Sequence, residues 1–180
     1  RLGVKAKRRP GGKGGREEAD VEASGVGLNE QLEARKLGLK ENAIRYWVTV
    51  IRECVEESGV LLVRRQGKDF DFRDDAERSH YQGLRERLLA GELDFATIIG
   101  SEGLELATDR VHYFSHWITP ETAPARFDTR FFLAAMPRGQ HAVGDDRETV
   151  SGEWISPTEA LQRHERGDWH MIYPTLTTLN

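Results

Sequence analysis

Arg52-Glu53-Cys54-Val55-Glu56-Glu57-Ser58-Gly59 decides the reading of this chain, because it sets three carboxylates and a guanidinium within about two turns of one helix. Upstream, Ile44, Trp47, Val48, Ile51 and Val55 recur at helical spacing, and Gly59 supplies a stop, so a helix is expected from Asn42 to Ser58. With a step of about 100° per residue, Glu56 and Glu57 fall within roughly 60° of Glu53. Ile44, Val48, Ile51 and Val55 gather near the opposite direction. Packing is therefore expected to pin the helix and to aim the acids outward.

Three carboxylates held this close repel one another unless a cation neutralises them, and hard oxygen ligands suit Mg²⁺ or Mn²⁺ better than zinc. Such an ion at Glu53, Glu56 and Glu57, bridging to phosphate oxygens, would withdraw charge from phosphorus and help generate a hydroxide nucleophile. Hydrolysis of a phosphoanhydride is the chemistry this set suits. Arg52 lies four residues before Glu56 and can pair with it, orienting the acid while reducing the repulsion. Periodicity taken alone leaves open an amphipathic helix with a merely solvated acidic side.

Outward from this helix, a length of 180 residues with 38% hydrophobic content fits one core of ordinary size. We expect one domain. The net charge of −4 is spread over both signs with no basic stripe, which argues against a nucleic-acid binder. Cys54 is the single cysteine, so no internal disulfide can form, and no Cys/His cluster has zinc spacing. No apolar run is long enough to span a membrane, and the start lacks the apolar core of a signal peptide. A cytoplasmic or otherwise intracellular, reducing setting is expected, with an organelle left open. The chain begins at Arg1 without methionine, as a processed or truncated chain would.

Residues Arg1 to Gly15 read as basic, glycine-rich loop, and Glu17 to Lys40 as a surface insertion with some helix. Val60 to Val63 reads as a short buried strand, Asp74 to Leu93 as helix, and Phe95 to Ile99 with Leu104 to Ala107 as its helical continuation. The aromatic stretches His112 to Ile118 and Thr129 to Ala135 are β-compatible, with a third strand expected over Val150 to Ile155. Ser156-Pro157-Thr158-Glu159 has the form of a capped helix start.

Every fixed position of the pattern R-E-U-x-E-E-x-G-U, with U aliphatic or similar, is met from Arg52 to Val60, which thus resembles the second half of the Nudix box. Pro10-Gly11-Gly12-Lys13 resembles the loop that opens that box. The stretch from Lys13 to Ile51 is longer than the usual spacing, so the box is split by an insertion. Glu18 then stands at the family's distance from Gly12, where counting back from Arg52 finds Ile44. A split box occurs in the subgroup that contains acyl-coenzyme A diphosphatases. His116-Trp117-Ile118-Thr119-Pro120, Arg126-Phe127-Asp128-Thr129-Arg130-Phe131-Phe132, Trp154-Ile155-Ser156-Pro157 and Pro174-Thr175 are similar to further segments of that subgroup.

The resemblance implies an α/β fold, the Nudix α/β/α sandwich with a mixed curved sheet, as a single domain over residues 1–180. Helical insertions are expected at about 16–41 and 73–106, with the family's long first strand absent. It implies a loop at Gly12 that meets substrate, and Glu57 or Glu148 as proton acceptor. Arg126, expected either in a structural ion pair with Asp128 across a buried Phe127 or on phosphate oxygens, is the second substrate candidate. His116 reads as a satisfied strand-end histidine or as a nucleobase contact, and Cys54 as packing. The implied partner is a small nucleotide-derived diphosphate such as coenzyme A or acyl-coenzyme A, with neither nucleic acid nor membrane, and a homodimer left open. The alternative is a catalytically silent domain that senses nucleotide or binds protein.

Overall fold

The computed structural model describes residues 2–7 by their backbone and residues 28–122, 125–144 and 152–180 in full. The chain forms two compact units, residues 1–150 and 151–180. In the first, β1 (Leu2–Lys7) is followed by α1 (Glu30–Leu37), α2 (Ile44–Ser58), β2 (Val63–Arg65) and β3 (Lys68–Asp69). Then come α3 (Asp75–Leu89), α4 (Phe95–Ser101), β4 (Leu104–Leu106), a 3-10 turn at Thr108–Arg110, β5 (Val111–Ile118) and β6 (Asp128–Ala134). The second unit carries α5 (Pro157–Glu165) and α6 (Tyr173–Leu179). No helix among the described residues is long and apolar enough to cross a membrane.

The described strands pair as two antiparallel three-stranded sheets, β1-β6-β5 and β3-β2-β4. The helix predicted from Asn42 to Ser58 is α2, which buries Trp47, Val48, Val50, Ile51, Cys54 and Val55. Trp47 anchors it to the first sheet: its ring meets Phe132 edge-on at 5.3 Å, and its Nε1–H donates to the Val111 carbonyl at 3.0 Å. An indole placed this way buries a large apolar area while its one donor is satisfied. A register shift between Tyr113 and Ser115 puts a bulge in β5. Beyond it His116 stands opposite Arg130 and Ile118 opposite Asp128.

Several expectations are corrected. A first strand is present: Leu2–Lys7 pairs with β6 from Leu2↔Ala134 to Lys7↔Thr129. Its alternation of Leu2, Val4 and Ala6 with Gly3, Lys5 and Lys7 is too short to stand out in basic, glycine-rich sequence. Leu104–Leu106 is strand, because Gly103 at φ +61° ends the helical run and the segment then finds a ladder on Val63–Arg65. Tertiary pairing overrides local composition here. The ladder at Val60 to Val63 begins only at Val63, since both backbone groups of Leu61 are taken by the side-chain amide of Gln140, at 2.8 and 3.0 Å. Residues 152–155 form no strand, and Phe127 is exposed. The insertion before Asn42 contributes to the core, since α1 buries Ala34 and Leu37. The capped start at Ser156 is borne out: its Oγ accepts from the Glu159 N–H at 3.1 Å.

The second sheet is tied to α3 through Glu77, whose side chain is buried. Arg73 donates to it from its backbone N–H at 2.7 Å and from its guanidinium at 2.7 and 2.9 Å, while Arg65 of β2 stands 2.9 Å away. Arg73's hydrogen bonds lead in holding this carboxyl down at about 2, against the opposing effect of burial. A carboxylate whose folded pKa lies below its unfolded value near 4.3 adds stability above that value and loses it as pH falls toward the folded one. The stability difference between the wild type and Glu77→Gln, followed by urea titration, should therefore be largest at pH 5 and shrink steadily toward pH 2. A difference that does not change with pH over that range would contradict the assignment.

Candidate functional site

Arg52 spans two acids on successive turns of α2: Nη2 donates to Glu53 Oε1 at 2.7 Å and Nη1 to Glu56 Oε1 at 2.6 Å. The expected Arg52–Glu56 pair is present, and the Glu53 leg extends it. Burial disfavours the Arg52 charge, but Glu56 and Glu53 outweigh it and raise the guanidinium's pKa above its ordinary value. The acids do not all point outward as expected. Glu53 is buried, 7% exposed, whereas Glu56 and Glu57 are intermediate. A carboxylate so nearly dry needs a permanent partner, which Arg52 supplies. Among the described residues no three His, Cys, Asp or Glu side chains stand together as a ready metal cluster.

Both ends of α2 are held from elsewhere in the chain. At its start, Ala43 offers no capping side chain. The Glu30 carboxylate reaches over from α1 and accepts from the Ala43 and Ile44 N–H groups at 2.7 and 3.0 Å. This satisfies orphan donors and sets a negative charge at the positive end of the helix dipole. At its other end Gly59 takes φ +68°, and its N–H donates to the Val55 carbonyl at 2.9 Å. Ser58 Oγ donates to the Cys54 carbonyl at 2.6 Å, and the Val143 N–H donates to the Ser58 carbonyl at 2.8 Å. Cys54 is buried, and burial pushes its thiol up to about 12, so it packs and does not act as a nucleophile.

Gly12, Glu18 and Glu148 lie outside the described residues. Arg126 does not pair with Asp128: it is exposed and meets Glu121 at 3.7 Å. Asp128 instead receives His116 Nε2 at 2.7 Å and Arg130 Nη1 at 2.8 Å. His116 is thus a partnered strand-end residue. Sequence reasoning missed Arg130, which is 3% exposed, lies over the Tyr46 ring at 4.5 Å and donates to the Tyr46 hydroxyl at 3.2 Å. Its signal was a cation at an inward strand position, two residues before the core residue Phe132. It also missed Glu30, for a cap supplied thirteen residues upstream of Ala43 leaves no local motif.

The architecture is that of the Nudix fold. A Nudix hydrolase from Alicyclobacillus acidocaldarius superposes with a TM-score of 0.65 over 98% of this chain and 80% of its own, at 21% identity. The family model described as the NUDT19 Nudix domain matches residues 26–180, including the whole of Arg52 to Val60, and the chain belongs to that family. The acyl-coenzyme A diphosphatase NUDT19 of Xenopus laevis is 27% identical over 163 residues, which cover 78% of this chain and 42% of that protein. The human protein of the same name is 27% identical over 138 residues, covering 66% and 34%. The chain thus spans less than half the length of these relatives.

Because Glu30 replaces a missing local cap, Glu30→Ala should lower stability by about 1–2 kcal/mol, with Glu30→Gln losing less. Urea titration followed by far-ultraviolet circular dichroism checks this. An unchanged midpoint for Glu30→Ala would show that the cap contributes nothing.

Proposed function

We propose that this chain is a divalent-metal-dependent hydrolase that cleaves a diphosphate linkage in a nucleoside diphosphate derivative, with coenzyme A or acyl-coenzyme A as the first candidate substrates. The observation that carries the reading is the Arg52 clasp on Glu53 and Glu56, with Glu57 beside it, on the one helix whose sequence meets every fixed position of the Nudix half-box. The names of the curated relatives support the coenzyme A choice.

Nudix hydrolases generally need a divalent metal, and the chemistry of the donor set suits one, although among the described residues its three acids are not gathered into a ready cluster. It consists of carboxylate oxygens on one helix face, and Arg52 engages Oε1 of Glu53 and of Glu56. Glu53, Glu56 and Glu57 would hold the ion, with Mg²⁺ or Mn²⁺ preferred by hard oxygen ligands. When bound, it lowers the pKa of water and neutralises phosphate charge. Arg52 fixes the orientation of Glu53 and Glu56 from outside the ligand set. Glu57 or Glu148 takes the proton from the attacking water. Glu148 follows Val143, whose N–H is bonded to the end of α2, by five residues in the sequence. Gly12 and the exposed Arg126 are the proposed substrate contacts, Arg126 through phosphate oxygens. The reading treats residues 1–180 as one Nudix domain acting on a small molecule, with no nucleic acid or membrane partner. It leaves a homodimer open and the setting intracellular.

The test is incubation with coenzyme A, acyl-coenzyme A, NADH and ADP-ribose in Mg²⁺ or Mn²⁺, reading products by mass spectrometry. Release of 3′,5′-ADP and 4′-phosphopantetheine from coenzyme A is the expected outcome. Glu56→Gln and Glu57→Gln should each lower kcat by about 100-fold or more with circular dichroism unchanged. Full activity in both variants would sink the mechanism, and nucleotide binding without any cleavage would favour the silent-domain alternative.

A further inference from the structure

Glu56 and Glu57 sit in the last turn of α2, where the intrahelical ladder runs out and carbonyls lose their partners. Helix ends fray, so acids placed there keep a fixed geometry only if other parts of the chain supply donors. Val55 and Ser58 have theirs, from the N–H groups of Gly59 and Val143. The Glu56 carbonyl is met from the inserted helix α3. Arg85 Nη2 donates to it at 2.9 Å and Arg85 Nε at 3.2 Å, so one guanidinium edge closes on a single backbone oxygen. The same guanidinium lies over Gly59, where an added Cβ would come within 3.2 Å of Arg85 Nη1. Gly59 therefore serves twice: it takes the left-handed turn at φ +68°, and it leaves room for the arginine that braces that turn.

We infer that Arg85 is a positioning residue for the acidic end of α2, acting through the Glu56 backbone to fix where the Glu56 and Glu57 carboxylates stand. The inference rests on the proposed diphosphatase reading, and it gives the inserted helix a part in the site. A cation at a helix C-terminus is favourable in itself, so Arg85 also contributes stability. Two roles are separable by sign. If Arg85 acted only by its charge, removing it would make the potential at the acids more negative and tighten their hold on a cation. If it positions them, removing it loosens their geometry and weakens that hold. The two-pronged contact with one carbonyl favours positioning, because an ammonium cannot reproduce a fork.

The experiment titrates Mn²⁺ into the full chain by calorimetry for the wild type, Arg85→Met, Arg85→Lys and the control Arg87→Met. Arg87 is a neighbouring exposed arginine on α3 with a partner at Glu92, 3.6 Å away. Circular dichroism melts and coenzyme A hydrolysis are followed in parallel. Arg85→Met should weaken Mn²⁺ binding about 10–100-fold, as loss of an outer partner of metal ligands does. Arg85→Lys should recover only part of that loss, and Arg87→Met should match the wild type. Where coenzyme A is cleaved, kcat should fall by a similar factor while its KM changes little. Arg85→Met binding Mn²⁺ as tightly as the wild type, or more tightly, overturns the inference. Should that variant not fold, wild-type Mn²⁺ affinity in Arg85→Lys does the same. Weakened Mn²⁺ binding in Arg85→Met beside a wild type that cleaves no substrate would support Arg85 and overturn the diphosphatase reading. Cleavage by the wild type with Arg85→Met unaffected would overturn Arg85 alone. A wild type that binds no Mn²⁺ overturns both.

Discussion

Arg52 lying between Glu53 and Glu56, at 2.7 and 2.6 Å, is the interaction on which the rest of the site depends. Glu53 is nearly dry, and a dry carboxylate without a partner would either take up a proton or destabilise the fold by several kcal/mol. The clasp allows α2 to carry acids on a flank that is partly buried, where charges interact more strongly than in open water. Holding like charges together in this way requires a helix that cannot shift or fray. The surrounding chain is arranged to that end.

The constraint is met by elements far apart in sequence. Trp47 fixes the inner face of α2 to the first sheet. Glu30 closes its start from α1, and Arg130 grips its first turn at Tyr46 from β6. Its final turn receives donors from α3 and from the segment after β6. Gln140, in that same segment, holds both backbone groups of Leu61 just past the helix. What looks like decoration around a short motif is therefore the frame that gives the motif its geometry. A helix of this length in isolation would be marginal in water, and its last turn the first part to open.

Most of this frame could not be read from the sequence, for identifiable reasons. The carboxylate helix, its glycine stop, the Arg52–Glu56 pair and the Ser156 cap were legible because each is set by residues a few positions apart. The strands over His112 to Ile118 and Thr129 to Ala135 were legible from aromatic and β-branched composition. The cap from Glu30, the Asp128–Arg130–His116 cluster and the Gln140 bridge join residues brought near only by folding, and no local pattern announces them. Leu104–Leu106 reads as helix in the sequence because a three-residue strand has no periodicity of its own and exists only through its ladder with β2. Glu53 was expected to face outward because a helical wheel gives direction and not depth.

The central claim is that the acidic face of α2 is built to hold a divalent ion against a diphosphate. Its most direct test is anomalous diffraction from crystals of the chain soaked in Mn²⁺. The account predicts an anomalous peak within coordination distance, about 2.2 Å, of carboxylate oxygens of Glu56 and Glu57, with Arg52 still bonded to Glu53. Manganese bound only elsewhere, with Arg52 unmoved between Glu53 and Glu56, would contradict it.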